Sequence, residues 1–161
     1  MSFEKFHLTG ETAIITGGGT GLGFGIASCF VTSGAKVVLV GRRKAELEKA
    51  CAALGKNAFA LVGDVTKLDH APALVNEAEQ LAGPVSILVN NAGVHLKKPA
   101  LETSDSEFAK VIETHVFGAF ALTRETARRM VSRKHGVILF TASMSALMGS
   151  PLIVADSAAK S

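Results

Sequence analysis

The stretch Thr16-Gly-Gly-Gly-Thr-Gly-Leu-Gly23 decides the fold of this chain. It follows a short apolar run that ends at Ile15, and it leads into a helix-forming run from Phe24 to Ser33. Strand, glycine turn and helix in this order form the usual binding site for a dinucleotide. The first turn of such a helix presents unpaired N–H groups and a partial positive charge to phosphates.

The glycines of this stretch have different expected roles. Gly17 allows the chain to leave the strand in a tight turn, because glycine has no Cβ. Gly21 allows the backbone to approach a pyrophosphate, and Gly23 allows the helix to pack closely against the sheet. The other turn residues expected to contact a cofactor are Gly19, Thr20 and Leu22.

Length and composition limit the class of protein. The 161 residues predict one dinucleotide-binding domain over 1–161. With 48% hydrophobic and 19% charged residues, the chain is too apolar to be disordered. No apolar run reaches the roughly 18 residues that a membrane span needs. The net charge of +3 is modest, and no basic stripe is interleaved with aromatic residues, so nucleic acid is not an expected partner.

The amino-terminal segment 1–7 lacks the apolar core of a signal peptide. Cys29 and Cys51 have neither a CxxC spacing nor a metal-ligand spacing, and we expect small buried thiols in predicted helices. These observations predict a cytoplasmic protein without a metal site.

Apolar runs alternate with longer amphipathic segments along the chain. The runs are continuously apolar, as in parallel strands that are covered on both faces, and they predict strands at 13–16, 36–40, 58–63, 87–90 and 137–141. Helices are predicted at 21–33, 44–54, 68–82 and 105–134, the last beginning with a capping box from Ser104 to Glu107. The predicted fold is α/β, a Rossmann-type doubly wound parallel sheet truncated after about five strands.

The residues after the second predicted strand indicate the choice of coenzyme. Gly41 stands where an NAD site usually has a carboxylate for the ribose 2′-hydroxyl, and Arg42 and Arg43 follow it. Guanidinium groups suit a 2′-phosphate, so NADP(H) is favoured over NAD(H). The alternative is that both arginines belong to the solvated start of the next helix.

Polar residues also follow the third and fourth predicted strands. Asp64 can accept a hydrogen bond from an adenine amino group, and Val65 can cover the ring; alternatively, Asp64 is an ordinary turn residue. In Asn90-Asn91-Ala92-Gly93, the small residues allow a cofactor to lie close and the amides satisfy exposed backbone, although such a sequence is also a common turn.

In this order and spacing, these motifs resemble the short-chain dehydrogenase/reductase family, in particular its single-domain branch related to 3-oxoacyl reductases and gluconate dehydrogenases. The resemblance extends over 8–161. It implies hydride transfer between NAD(P)(H) and a carbonyl or secondary alcohol. It also implies that Asp64, Val65 and Asn90 contact the adenosine half of the coenzyme, and that the full-length form, whose C-terminal part is missing here, is a homodimer or homotetramer.

Members of this family work with a serine, a tyrosine and a lysine, aided by an asparagine. Ser143 and Lys160 match the serine that holds the substrate oxygen and the lysine that also binds the nicotinamide ribose. Asp156 stands at the tyrosine position and His115 at the asparagine position.

Asp156 changes the expected chemistry. An aspartate four residues before Lys160 stays ionised, so it cannot give a proton to a forming alkoxide. Losing a general acid costs about 10²–10⁴ in rate, and we expect impaired catalysis. Asp156 and Lys160 are predicted to form an i,i+4 ion pair; the alternative is that burial allows Asp156 to act as an acid. The segment 156–161 is too short for a helix by itself, which would leave Lys160 loosely held.

His115 lies on a helical face that we expect to pack on the sheet, either as a core histidine or as a proton relay. His70, His95 and His135 are expected in loops or at helix ends. The alternative to an oxidoreductase is a non-catalytic nucleotide-binding or interaction module. With either function, the strand predicted at 137–141 is expected to form a bare apolar edge.

Overall fold

Five parallel strands form one sheet in the computed structural model, which describes residues 7–161. They are β1 (Thr12–Thr16), β2 (Lys36–Gly41), β3 (Ala58–Val62), β4 (Ile87–Asn90) and β5 (Val137–Phe140). Their order is β3-β2-β1-β4-β5, so the direction of winding reverses between β1 and β4. The predicted doubly wound fold is confirmed, and such a sheet binds ligands at the carboxyl ends of its strands near this reversal.

Helices cover both faces of the sheet. They are α1 (Gly21–Thr32), α2 (Lys44–Leu54), α3 (Ala71–Ala82), α4 (Asp105–Ile112), α5 (Ala119–Arg133) and α6 (Val154–Lys160). Ile14 and Leu88 belong to the core on the side of α3 and α5, whereas Ile15 and Leu39 belong to the core on the side of α1 and α2. Successive strand residues therefore enter opposite cores, which explains the continuously apolar runs.

The helix predicted at 68–82 is divided in two. A 3₁₀ turn over Leu68–His70 precedes α3, and Pro72 lies in the first turn of α3. Proline has no N–H to donate inside a helix, but its fixed φ suits the first turn. The true helix therefore begins beside Pro72 rather than at Leu68.

The long helix predicted at 105–134 is also interrupted. The predicted capping box is present at Ser104 and Glu107, but a π-helical segment, Glu113–Gly118, separates α4 from α5. Within it, the Thr114 hydroxyl donates a hydrogen bond to the Lys110 carbonyl, 3.0 Å away. A Cβ on Gly118 would lie only 2.8 Å from the Val65 carbonyl oxygen. The wide turn therefore brings this helix against the loop that follows β3.

The carboxyl end of the chain differs from expectation because the α6 helix does form. The Lys98 N–H donates to the Leu152 carbonyl at 2.8 Å, which fixes the start of α6 to the loop after β4. At the other end of α6, Lys160 Nζ donates to the Thr141 carbonyl, so Lys160 is not loosely held. Beside it, β5 is the exposed edge that the sequence predicted, with Phe140 59% exposed.

Three further sequence predictions concern the cysteines, membrane-spanning helices and the amino-terminal segment. Cys29 is exposed and Cys51 is half-buried, so the prediction of buried thiols is wrong for Cys29. Between residues 7 and 161, no helix has the length and apolar character needed to cross a bilayer. The amino-terminal segment used for the signal-peptide argument lies, apart from His7, outside the described residues.

Glu79 connects α3 to α5 and to the loop before β4. Its carboxylate accepts hydrogen bonds from Arg129 at 2.7 Å, from Arg133 at 2.9 Å and from the Val85 N–H at 3.0 Å. Burial opposes ionisation, but these donors together lower the pKa of Glu79 below its ordinary 4.5. The ionised carboxylate therefore stabilises the fold above that ordinary value, and the contribution is lost as the pH falls through the lower folded-state pKa.

We expect Glu79→Gln to lower the free energy of unfolding by about 1–2 kcal/mol at neutral pH, because charge-assisted hydrogen bonds are lost. The difference in the free energy of unfolding between the variant and the wild type should become smaller at acidic pH, where the wild-type carboxylate also becomes neutral. Denaturant titrations over a pH series measure both effects. Glu77→Gln, an exposed change on the same helix, is the matched control. If the difference in the free energy of unfolding stays constant down to low pH, the ionised Glu79 carboxylate is not the source of the stabilisation.

Candidate active site

The turn between β1 and α1 depends on glycine at three positions. Gly17 and Gly21 have φ values of 67° and 56°, in the left-handed region that side chains rarely adopt. A Cβ on Gly21 would meet nothing within 4 Å, so this side of the turn is open. A Cβ on Gly23 would lie 2.3 Å from the Gly17 carbonyl oxygen. Only glycine at 23 allows α1 to begin this close to the turn.

The amino terminus of α1 is free to receive a ligand. Thr20 is the N-cap residue, but its side chain makes no capping hydrogen bond. Leu22, in the first turn, is 63% exposed. Among residues 7–161 no side chain accepts a hydrogen bond from the first N–H groups of α1, so an anionic group such as a pyrophosphate can take that role.

Thr16 joins the glycine turn to the loop after β4, a role that the sequence analysis missed. Its hydroxyl accepts hydrogen bonds from the Asn91 and Ala92 N–H groups, both at 2.9 Å. In return, Asn91 Nδ2 donates to the Thr16 carbonyl at 3.0 Å. A threonine at the end of β1 is the only signal in the sequence for this contact, and its partners lie 75 and 76 residues away.

A first cavity of about 270 Å³ lies over the carboxyl ends of β1, β2 and β3. Ten of the predicted cofactor residues line it: Gly17, Gly19, Thr20, Arg42, Arg43, Asp64, Val65, Asn91, Ala92 and Gly93. Its walls also include Glu46, Thr66, Val94 and Thr114, which the sequence analysis did not single out. Sites that are distant in sequence therefore form one cavity at the predicted edge of the sheet.

Asp64 is held as a carboxylate in this cavity. Its Oδ1 accepts hydrogen bonds from the Thr66 N–H at 3.0 Å and the Thr66 hydroxyl at 2.8 Å. Burial acts against ionisation, but these bonds and the charges of Arg42 and Lys67 lower the pKa of Asp64. Among residues 7–161 no donor is bound to Oδ2, which leaves an acceptor for a ligand amino group.

The two arginines after β2 are exposed at the rim of the same cavity. Arg43 Nη2 lies 3.5 Å from the Thr20 hydroxyl, so the guanidinium reaches across to the start of α1. Glu46, one turn into α2, contributes an opposing carboxylate to the wall. With Asp64, two positive and two negative side chains line the cavity, so the arginines provide positive charge locally at its rim rather than a net excess.

A second cavity of about 240 Å³ adjoins the first, since Val65, Ala92 and Thr114 line both. Asn90, His115, Thr141 and Lys160 contribute polar groups to its wall. Asn90 Oδ1 and His115 Nδ1 are buried without a hydrogen-bond partner among the described residues. Buried polar atoms are seldom left unpaired, so this wall is suited to a polar ligand.

His115 points inward from the π-helical segment. Its Nε2 lies 3.1 Å from the Val94 nitrogen and 2.9 Å from the Val94 carbonyl oxygen. A Cβ on Gly93 would lie 2.5 Å from the imidazole carbon Cε1, so the glycine makes room for the ring. The histidine is thus fixed against the loop after β4.

Lys160 and Asp156 do not form the predicted ion pair. Burial lowers the pKa of Lys160, while the charge of Asp156 acts in the opposite direction. The Asp156 carboxylate instead has its Oδ2 3.4 Å from the Leu96 nitrogen and 3.8 Å from His95 Nδ1. The prediction failed because Thr141 offers Lys160 a carbonyl, and the loop after β4 offers Asp156 an N–H and an imidazole.

Ser143 is exposed and caps the 3₁₀ turn over Met144–Ala146. Its hydroxyl accepts hydrogen bonds from the Ser145 N–H at 3.2 Å and the Ser145 hydroxyl at 2.9 Å. Neither Ser143 nor Asp156 lines the second cavity, whereas His115 and Lys160 both do.

Within 7–161, no three His, Cys, Asp or Glu side chains lie together as a metal-binding group would.

Comparison with known sequences agrees with this geometry. The model of the short chain dehydrogenase family matches residues 11–161. Galactitol 2-dehydrogenase (L-tagatose-forming) from Cereibacter sphaeroides is 42% identical over 141 residues, which cover 87% of this chain and 55% of that protein. The 2-dehydro-3-deoxy-D-gluconate 5-dehydrogenase from Pseudoalteromonas atlantica is 35% identical over 161 residues, covering 98% of this chain and 63% of that protein.

Among solved structures, the 3-ketoacyl-(acyl-carrier-protein) reductase from Brucella melitensis, complexed with NADH, superposes with a TM-score of 0.90. It is 35% identical, and the match covers 95% of this chain and 65% of that one. The chain thus spans between 55% and 65% of the length of these relatives. The resemblance read from the glycine turn and the strand ends is confirmed: the chain belongs to the short-chain dehydrogenase/reductase family of oxidoreductases.

Proposed function

We propose that the chain is a single dinucleotide-binding domain that transfers a hydride between NADP(H) and a carbonyl or secondary alcohol. The observation that carries this proposal is the pair of adjoining cavities at the carboxyl edge of the sheet. One combines an open glycine turn with two arginines, and the other combines Lys160 with buried polar atoms that have no hydrogen-bond partner within residues 7–161.

The proposal assigns a residue to each part of the coenzyme. Arg42 and Arg43, at the rim of the first cavity, would bind a 2′-phosphate, and Asp64 and Val65 would bind the adenine. The N–H groups at the start of α1 would hold the pyrophosphate, and Lys160 the nicotinamide ribose. When bound, NADP(H) supplies or accepts the hydride.

The rate is expected to be low. Asp156 stands where the family pattern has a tyrosine, and the Ser143 hydroxyl is engaged with Ser145 outside the second cavity. The names of the galactitol and gluconate relatives favour a polyhydroxylated substrate. Cys29 and Cys51 are unpaired thiols, which favours a reducing compartment, and we propose a cytoplasmic protein that is dimeric or tetrameric in its full-length form.

Fluorescence titration with NADPH and NADH, followed by assays of NADPH oxidation with sugars, ketones and acyl substrates, tests the proposal. We expect saturable binding, tighter for NADPH, and slow turnover with at least one substrate. Circular dichroism on the same sample confirms that the chain is folded. If the folded chain binds neither NADPH nor NADH, the proposal is wrong.

A second candidate is a nucleotide-binding module without turnover. It is favoured by the position of Ser143 and Asp156 outside the cavity that holds His115 and Lys160. This candidate is supported if the chain binds NADPH tightly but oxidises none of it with any substrate of the panel.

A further inference from the structure

The side chain of Lys160 has no carboxylate partner among residues 7–161. It is the one lysine or arginine of these residues in the wall of the second cavity, and none of their aspartates or glutamates lines that wall. Asp156, one helical turn earlier, accepts a hydrogen bond from the Leu96 N–H and forms no ion pair with Lys160. The amino group therefore lacks a paired opposite charge, which would favour its protonated form.

The surroundings of the Lys160 side chain favour the neutral amine instead. Phe140, Ala142 and Ala159 are apolar members of the same wall, and the lysine itself is half-buried. Burial lowers the pKa of Lys160, and the opposing effect of the Asp156 charge does not cancel it. More of this amine is therefore neutral at neutral pH than of a lysine on the surface.

The other charged groups near α6 are directed elsewhere. The helix packs against α4, the π-helical segment and the 3₁₀ turn over Met144–Ala146. Of the titratable side chains on these elements, His115 shares the cavity wall with Lys160, and the rest are exposed or paired. Those others, with the exposed histidine of the loop after β4, are Asp105, Glu107, Lys110, Glu113 and His95.

Hydrogen bonds fix the amine in a cavity that has further polar groups to offer. Lys160 Nζ donates to the Thr141 carbonyl, a bond that a neutral amine keeps with one N–H while its lone pair stays free. In the same wall, Asn90 Oδ1 and His115 Nδ1 are buried without a partner among the described residues, and Asn90 is only 6% exposed. These two atoms can bind hydroxyl groups of a ligand, and a volume of about 240 Å³ suits a small one.

We propose that the Lys160 amine is a nucleophile that forms a reversible imine with small hydroxylated aldehydes in the second cavity. As the Nζ lone pair bonds to the carbonyl carbon, the C=O π pair moves to oxygen, and a proton passes from nitrogen to that oxygen. The nitrogen lone pair then forms the C=N bond, while the hydroxyl group takes up a proton and leaves as water. The remaining N–H proton returns to solvent, so nothing is oxidised or reduced.

This activity goes beyond the proposed hydride transfer and does not depend on it. The coenzyme is not a reactant, and imine formation belongs to the chain without coenzyme, because the nicotinamide ribose would otherwise lie against Lys160. The second cavity would then serve two exclusive ligands, a coenzyme or an aldehyde.

Reductive trapping tests the proposal directly. Glyceraldehyde with sodium cyanoborohydride at neutral pH converts the imine to a stable secondary amine, which peptide mapping by mass spectrometry locates. We expect Lys160 to be labelled at least about tenfold faster than Lys97 and Lys134, two exposed lysines outside both cavities, because its neutral fraction is larger. The rapid phase should be lost in Lys160→Gln and kept in the matched control Lys97→Gln.

The wild-type peptide map decides the outcome even if Lys160→Gln does not fold. If Lys160 in the folded wild-type chain reacts no faster than the exposed lysines, the proposal is wrong. Propanal, which lacks the hydroxyl groups of glyceraldehyde, should label Lys160 more slowly. Equal rates with the two aldehydes would overturn the assignment of a hydroxylated ligand.

Saturating NADPH separates this inference from the proposed function. Bound NADPH should suppress labelling of Lys160 and leave that of Lys97 unchanged. Rapid labelling that bound NADPH does not slow would support the imine but contradict the placement of the nicotinamide ribose at Lys160. Slow labelling in a chain that binds NADPH would overturn the imine alone.

Discussion

Replacing Gly23 with valine is expected to abolish coenzyme binding and to lower the free energy of unfolding by about 3–5 kcal/mol. A side chain there would meet the Gly17 backbone, which cannot rotate away, and the Asn91 side-chain amide, which is hydrogen-bonded to the Thr16 carbonyl. A Cβ at this position would lie 2.3 Å from the Gly17 carbonyl oxygen and 2.6 Å from Asn91 Nδ2. The start of α1 must therefore move away from the turn, and its N–H groups move with it.

Gly25→Ala is the matched control for this prediction. Gly25 lies two residues further along α1, is exposed, and has no atom within 4 Å of the position of an added Cβ. Alanine there should raise the free energy of unfolding by about 0.5–1 kcal/mol, because glycine is a poor helix former. Denaturant unfolding and NADPH fluorescence titration measure both variants. If the Gly23→Val variant binds NADPH with a Kd within about tenfold of the wild-type value, α1 does not present its N–H groups to the pyrophosphate.

The strands and the first cavity could be predicted because their determinants are local. A continuously apolar run such as 87–89 in β4 indicates a strand buried on both faces, and parallel strands carry their carboxyl ends to one edge. The alternation of strands and helices therefore predicts that the residues after the strands lie together at this edge, as Gly17, Arg42, Asp64 and Ala92 do. Nothing beyond secondary structure was needed to gather them.

The partners of the carboxyl-terminal residues could not be predicted in the same way. The i,i+4 spacing of Asp156 and Lys160 indicates an ion pair on an isolated helix, but tertiary contacts offer each side chain another partner. The contact of Asp156 with Leu96 spans 60 residues and depends on the bridge at Lys98. The π-helical turn at Glu113–Gly118 is likewise set by the approach of Gly118 to Val65, which has no local signal.

The double substitution Arg42→Gln/Arg43→Gln is expected to weaken NADPH binding by about 10²–10³-fold and NADH binding by no more than about threefold. Hydrogen bonds to charged groups contribute about 1.5–3 kcal/mol each, and the exposure of both guanidinium groups reduces their combined effect. At about 1.36 kcal/mol per decade, the predicted loss is roughly 3–4 kcal/mol. The difference between the coenzymes arises because only NADPH carries the 2′-phosphate.

Lys44→Gln is the control for charge alone. Lys44 follows the two arginines directly, but it pairs with Glu48 at 3.6 Å and does not line the first cavity. Its removal lowers the net charge by one without changing the cavity wall, so both affinities should stay within about threefold. Parallel titrations at fixed ionic strength are required, since screening weakens any long-range attraction. Equal weakening of NADPH and NADH in the double variant would mean that the arginines only raise the local potential. A loss confined to NADPH would mean that they contact the 2′-phosphate and overcome the repulsion from Glu46 in the same wall.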